Sequence, residues 1–170
     1  VFPYLAAPEG YGYGNYGKGM KPSDIVDFDK EYFAVNGKLI PQEGKSCKVA
    51  IDVLNSSTTT FNKLLLEKSF EKAILDLGGV QVNNVEVPKS EVDRIGKKEL
   101  LDNNYGFSIG FNSLADIKTY VIRTKEKELW IQFYFENKES GRITFLENQP
   151  METLEIKKIT ADQLKADIDA

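Results

Sequence analysis

Asp29 and Glu31 stand two residues apart in FDKEYF, and a pair of carboxylates is what a glycosidase uses as acid and base. Strand spacing puts both on one face of the same strand, side by side and in solvent. A charged strand edge is the plainer reading. Asp102, Asn103 and Asn104 gather a second set of oxygen ligands. Their spacing is not that of a calcium loop and no glutamate closes it, so they read as a turn. Cys47 is the sole cysteine. In SCKVAIDVL, Cys47, Val49, Ile51 and Val53 share one face, with Lys48, Ala50 and Asp52 on the other. That parity makes Cys47 a buried structural thiol, because reactivity needs exposure and an electropositive setting. The chain contains no histidine, which removes Ser-His-Asp and Cys-His triads and imidazole ligands together. One cysteine also excludes an internal disulfide and a thiolate zinc cluster. The glycines from Gly10 to Gly19 lack the preceding strand and the following Lys-Ser/Thr of a phosphate loop, and no nucleophile elbow is present. The residues therefore predict a non-catalytic protein with no metal and no cofactor.

The elements that would position these residues come from a chain of 170 residues with net charge −4 and 41% hydrophobic content. That composition is globular and long enough for a core without staples. Its lysines are interspersed with acids, so it offers no basic face for nucleic acid. No run of ~18 apolar residues is present to span a membrane as a helix. A start at Val1 reads as a processed product or as a trimmed piece of a longer chain, with a signal peptide already removed.

The organisation expected is an α+β domain: antiparallel sheet, with one main amphipathic helix packed on its apolar face. Residues 1–24 form a Gly/Tyr-rich arm, 25–159 the domain, and 160–170 the start of a linker helix that is cut short. A division near 89–117 into two similar strand-rich halves is one reading of the domain. Two readings of the arm compete. Either Phe2, Tyr4 and Leu5 pin it to the core, or Tyr11, Tyr13 and Tyr16 form an aromatic lid over a ligand. Phe28 to Val35 reads as a strand turned by Asn36-Gly37; a second turn is expected at Glu43-Gly44. The clearest helix carries Leu66, Phe70, Ala73, Ile74 and Leu77 on one face. Its N-cap is expected from the polar run Asn55 to Thr60 and its end at Gly78-Gly79. Val80 to Val87 reads as a strand with an irregularity at Asn83-Asn84, and Lys89 to Gly106 as helical turns broken by Gly96.

Three antiparallel strands follow, Thr119 to Thr124, Leu129 to Phe135 and Arg142 to Glu147. Pairing them about Glu126-Lys127 and the loop 137–141 sets Tyr120 opposite Phe133, Ile122 opposite Ile131, and Phe133 opposite Phe145. One face then holds Tyr120, Ile122, Leu129, Ile131, Phe133, Phe135, Ile143 and Phe145, which is the core face. The other face, with Val121, Arg123, Trp130, Tyr134 and Leu146, is too apolar for free solvent. Either the arm or a partner covers it. Trp130, Tyr134, Val121, Leu146 and Arg123 are thus the candidate interaction surface. Thr153 to Ile159 reads as a last strand, before a helix capped by Thr160 with Gln163 three residues on.

Several segments fall in an order that resembles one family. FPYLAAPEGY, DFDKEYF, PQEGK, LLEKSFEKAILDLGGVQV, YVIRTKEKELWIQFYF, LENQPM and ITADQLKADI occur in turn. The chain resembles the N-terminal region of bacterial OmpA-family envelope proteins. In that family a signal or lipoprotein peptide precedes such a start and a peptidoglycan-binding domain follows. That domain lies outside this sequence, so cell-wall binding is not carried over to these residues. The resemblance implies a periplasmic or outer-membrane-associated location. It implies a non-catalytic module that recruits an envelope protein or cell-wall component. The alternative is a domain that binds a glycan or lipid fragment, with the tyrosine-rich arm as lid.

Overall fold

The structure, a computed structural model, describes residues 1–109, 117–135, 139–148 and 160–169. Its strands are β1 (Tyr11–Tyr13), β2 (Ile25–Val35), β3 (Lys38–Val53), β4 (Val80–Asn83), β5 (Lys118–Arg123), β6 (Glu128–Tyr134) and β7 (Gly141–Asn148). Its helices are α1 (Lys63–Asp76), α2 (Lys89–Ile95), α3 (Lys97–Asp102) and α4 (Ala161–Asp169). The fold is α+β. The described strands make one antiparallel sheet in the order β1-β3-β7-β6-β5-β4, with β2 also paired to β3. Region 89–117 does not divide the sheet, because β4 before it pairs with β5 after it. The expected strand Thr153 to Ile159 lies outside the described residues.

β3 organises the sheet. It pairs with β2 and β1 on one side and with β7 on the other. No turn interrupts it at Glu43-Gly44. Gly44 instead lies opposite both Asp29 and Asn148, and a Cβ there would collide with the Glu147 carbonyl. The missing side chain serves close approach rather than reversal. The reversal is at Asn36 (φ 50°) and Gly37 (φ 80°), the left-handed pair that suits a two-residue hairpin turn.

The core face is the one expected. Phe70 and Ile74 of α1 pack with Tyr120, Ile131, Phe133, Ile143, Phe145 and Cys47. Burying each large side chain contributes about 1.5–3 kcal/mol before entropy is counted. α1 is capped by Asn62, whose side chain accepts from the Leu65 amide at 3.0 Å, not by the Asn55 to Thr60 run. Leu77 falls just past the last helical turn and is 56% exposed, although the spacing placed it in the buried stripe. Registers differ from expectation by one pair. Tyr120 lies opposite Ile131, Ile122 opposite Leu129, and Ile131 opposite Phe145. A shift of two residues keeps every side chain on its face.

The second face is covered by neither the arm nor a partner. The β2–β3 hairpin folds back across it. The Asn36 amide donates to the Val82 carbonyl at 3.0 Å, and Phe33 packs on Trp130 with ring centroids 5.4 Å apart. Outside the hairpin, Val92 of α2 and Leu100 of α3 pack on Tyr32, Ala34 and Leu39. The amides of Lys30, Tyr32 and Ala34 donate to Asp29 Oδ1, Glu31 Oε1 and Gln132 Oε1, so side chains satisfy backbone donors that the ladder leaves over.

α2 is clamped to β3 through Leu39. The Leu39 amide donates to Glu91 Oε2 at 2.9 Å, and Arg94 donates to the Leu39 carbonyl at 3.1 Å. The hydrogen bond from Arg94, then that from the Leu39 amide, lowers the Glu91 carboxyl to about 2. A carboxylate depressed on folding contributes stability above its unfolded value, and that stability is lost as pH falls through the folded one. Glu91→Gln should therefore flatten the loss of stability between about pH 4.5 and 2, as urea titrations across that window would show.

Candidate functional site

The expected interaction surface is not a surface. Val121, Trp130 and Leu146 form one buried cluster with Phe33; Trp130 is 6% exposed. Tyr134 is buried as well. The physical reason is the long hairpin, which supplies from within the chain the cover that a partner was expected to supply. Arg123 alone of the five stays exposed, and its Nε donates to Glu128 Oε2 across the hairpin at 2.8 Å.

The tyrosine lid is overturned at two of its three positions. Tyr11 and Tyr13 are buried in the α1-side core, where β1 adds them to the edge of β3. The Asn62 amide donates to Tyr11 Oη at 2.9 Å, which ties the arm to the start of α1. Tyr13 Oη donates to the Leu5 carbonyl at 2.8 Å. Burial, and after it the nearby Cys47, pushes the Tyr13 phenol well above its ordinary range. The backbone of Tyr16 lies in a short 3-10 turn, Asn15–Gly17; its side chain lies outside what is described. Phe2 and Leu5 pack on the core, as the pinned-arm reading expects. Tyr4 does not bury; it is 44% exposed.

Cys47 is buried, and desolvation raises its thiol to about 12, with Asp24 adding to the effect. A thiol needs its thiolate to react. Native protein at pH 8 should leave Cys47 unmodified by a thiol-specific chromogenic disulfide, with full reaction only in denaturant.

The polar groups converge elsewhere, around Lys48. The pairing of β2 with β3 brings Asp29 and Glu31 to the same side of the hairpin as Ser46 and Lys48. Lys48 Nζ lies 3.1 Å from Glu31 Oε2 and 3.5 Å from Asp29 Oδ2, and donates to the Asn104 carbonyl at 3.0 Å. Ser46 Oγ donates to Asp29 Oδ2 at 2.6 Å. Glu31 is 0% exposed, not solvated as strand parity implied. It accepts from the Tyr32 amide at 2.7 Å, the Phe107 amide at 3.4 Å and the Gly106 amide. Burial pushes its carboxyl up; Lys48 and the Gly106 and Tyr32 amides pull against that. These contacts all donate, which suits a carboxylate rather than a carboxylic acid. Both carboxylates are thus taken up by contacts within the chain, Glu31 with Lys48 and backbone amides and Asp29 with Lys48 and Ser46.

Above this cluster opens a cleft. Two adjoining cavities of about 360 and 220 Å³ share Asp24, Lys48 and Phe107. The arm forms one wall through Gly14, Asn15, Lys21 and Ser23, and Asn103 and Asn104 form the other. The walls therefore offer hydroxyl, amide and carboxylate groups and the Lys21 ammonium beside an aromatic ring. Among the described residues no three or more His, Cys, Asp or Glu gather to hold a metal. Asp102 ends α3, and Asn103 and Asn104 form the turn after it. Comparison with family models, curated proteins and solved structures finds no match. The OmpA-family resemblance stands on its sequence segments alone.

Parity had placed Lys48 on the polar face of its strand. Its partnership with Asp29 and Glu31 was missed because it depends on a register that shifts between Val26 and Asp29. The cleft was missed because its walls lie far apart in sequence.

Proposed function

We propose that this chain is a non-catalytic binding module of a cell-envelope protein, and that it takes a glycan fragment in the Lys48 cleft. The observation that carries the reading is the cleft's makeup. Ser23, Asn103, Asn104 and Asp24 offer donors and acceptors around the half-buried ring of Phe107. Sugar hydroxyls need both kinds of partner, and an aromatic ring gives a sugar's apolar face something to rest on. Recruitment of a protein partner through Trp130 and Tyr134 loses its support, since those side chains are spent on the core. The arm keeps a part in ligand binding as a wall of the cleft, through Gly14 to Asp24 rather than through Tyr11 and Tyr13. No helix among the described residues is long and apolar enough to cross a membrane. The envelope setting is supported by the sequence resemblance.

Calorimetric titration with a panel of neutral and amino-sugar disaccharides tests the binding. Saturable heat is expected for at least one of them. Ser23→Ala with Asn103→Ala should weaken it about thirtyfold, the loss of two hydrogen bonds near 1 kcal/mol each. No heat across the panel, or heat untouched by the two substitutions, contradicts the reading. Cell fractionation of the whole gene product tests the setting. Recovery with the periplasm or outer membrane is expected, and recovery in the cytosol contradicts it.

A further inference from the structure

On the opposite face of the sheet, Tyr4 of the arm and Leu77 at the end of α1 stand apart. Between them lies a slot of about 350 Å³, the size of a small ligand pocket. Its floor is Ile122 and Leu129, its walls are Leu77 and Tyr4, and Lys127 and Glu147 stand at its rim. We propose that this slot takes the apolar chain of a fatty acid, with the carboxylate head at Lys127. The proposal stands whether or not the Lys48 cleft takes a glycan.

Three observations carry it. Leu77 completes the apolar stripe of α1 in sequence, yet the fold leaves it exposed at the slot. An apolar side chain kept out of the core next to an aliphatic floor is surface awaiting cover. Tyr4 is held at the other wall with φ 74°, a left-handed conformation that non-glycine residues avoid and that tends to mark functional positions. Its hydroxyl donates to the Glu147 carboxylate and accepts from Lys127 Nζ at 3.1 Å, and the same ammonium lies 5.4 Å from the Tyr4 ring. The charges then set the head group. Lys127 Nζ is 3.0 Å from Glu147 Oε1, and Lys45 lies directly opposite Glu147 across β3 and β7, its ammonium 5.2 Å from the Phe2 ring beside Tyr4. Lys127 at the rim and Lys45 one strand away thus place two ammonium groups beside a single carboxylate, a local excess of positive charge that an anionic head group complements. The small volume favours a single chain.

Decanoate below its micelle concentration is the probe, with decyltrimethylammonium as its cationic counterpart. Decanoate should bind saturably and shift the methyl resonances of Leu77, Ile122 and Leu129. The cationic amphiphile should bind less tightly. Leu77→Asp should weaken decanoate about tenfold or more, as expected for losing a leucine side chain from an apolar contact. Its thermal midpoint should fall only slightly, because Leu77 is exposed in the free protein and the new carboxylate only opposes the dipole at the end of α1. Absence of saturable decanoate binding, or binding indifferent to Leu77→Asp, overturns the slot. Equal affinity for the two amphiphiles overturns the anionic head. Self-association abolished by Leu77→Asp, without decanoate binding, assigns the slot to a second copy of the chain and also overturns the proposal.

Discussion

Gln132→Leu is expected to destabilise the protein by roughly 2–6 kcal/mol, the cost of orphaning two buried backbone groups at about 1–3 kcal/mol each. Gln132 is fully buried on β6 and uses both ends of its amide. Its Oε1 accepts from the Ala34 amide at 2.6 Å and the Thr119 hydroxyl at 2.9 Å. Its Nε2 donates to the Tyr32 carbonyl at 3.2 Å and to Ser108 Oγ at 3.0 Å. One side chain thus joins the main sheet to β2 and to the segment before β5. Leucine fills a similar volume, so the loss reports the hydrogen bonds rather than a cavity. Against a typical total of about 5–15 kcal/mol, the effect should be plain in the urea midpoint. A change below about 1 kcal/mol would mean that water or relaxation satisfies the orphaned groups.

Lys48→Met should cost a similar amount, about 3–5 kcal/mol, because it leaves the Glu31 carboxylate buried without its cation. Three backbone amides still face Glu31, but they bring partial charges in place of the ammonium at 3.1 Å. The sign with pH follows from burial, which already pushes this carboxyl up and would then act without Lys48 to oppose it. A carboxyl raised on folding binds more protons in the native state, so its variant loses stability as pH rises from the unfolded value through the folded one. The deficit of Lys48→Met should therefore be smallest below about pH 4.5, the unfolded value, and grow toward neutrality. Adding Glu31→Gln should recover part of it at neutral pH. A pH-independent deficit, or no rescue by the second substitution, would show that Lys48 acts through packing alone.

What the residues announced and what they concealed divide by range. Face parity was legible because it is local: Cys47, Val49 and Ile51 on β3, and Ile131 and Phe133 on β6, face the core as their alternation requires. The Asn36-Gly37 turn and the break at Gly96 were legible for the same reason. Registers slipped by one pair because turn geometry, not alternation, sets them. Gly44 misled, since a glycine that permits close backbone approach looks in sequence like one that permits a turn. The cover over Trp130 was not legible at all. It depends on Phe33, nearly a hundred positions away, reaching across the sheet. The candidate site fared the same way. Asp29 and Glu31 stood out as carboxylates, but their neutralisation by Lys48 and the Gly106 and Phe107 amides exists only once the hairpin has folded back.

The central claim is that the Lys48 cleft binds a glycan. The most direct measurement is an amide chemical-shift map of the folded chain during titration with the tightest disaccharide of the panel. Saturating shifts confined to Asn15, Lys21, Ser23, Lys48, Asn103, Asn104 and Phe107, which line the cleft, are predicted. Saturating shifts elsewhere with these amides unmoved, or no shifts at millimolar ligand, would contradict the account.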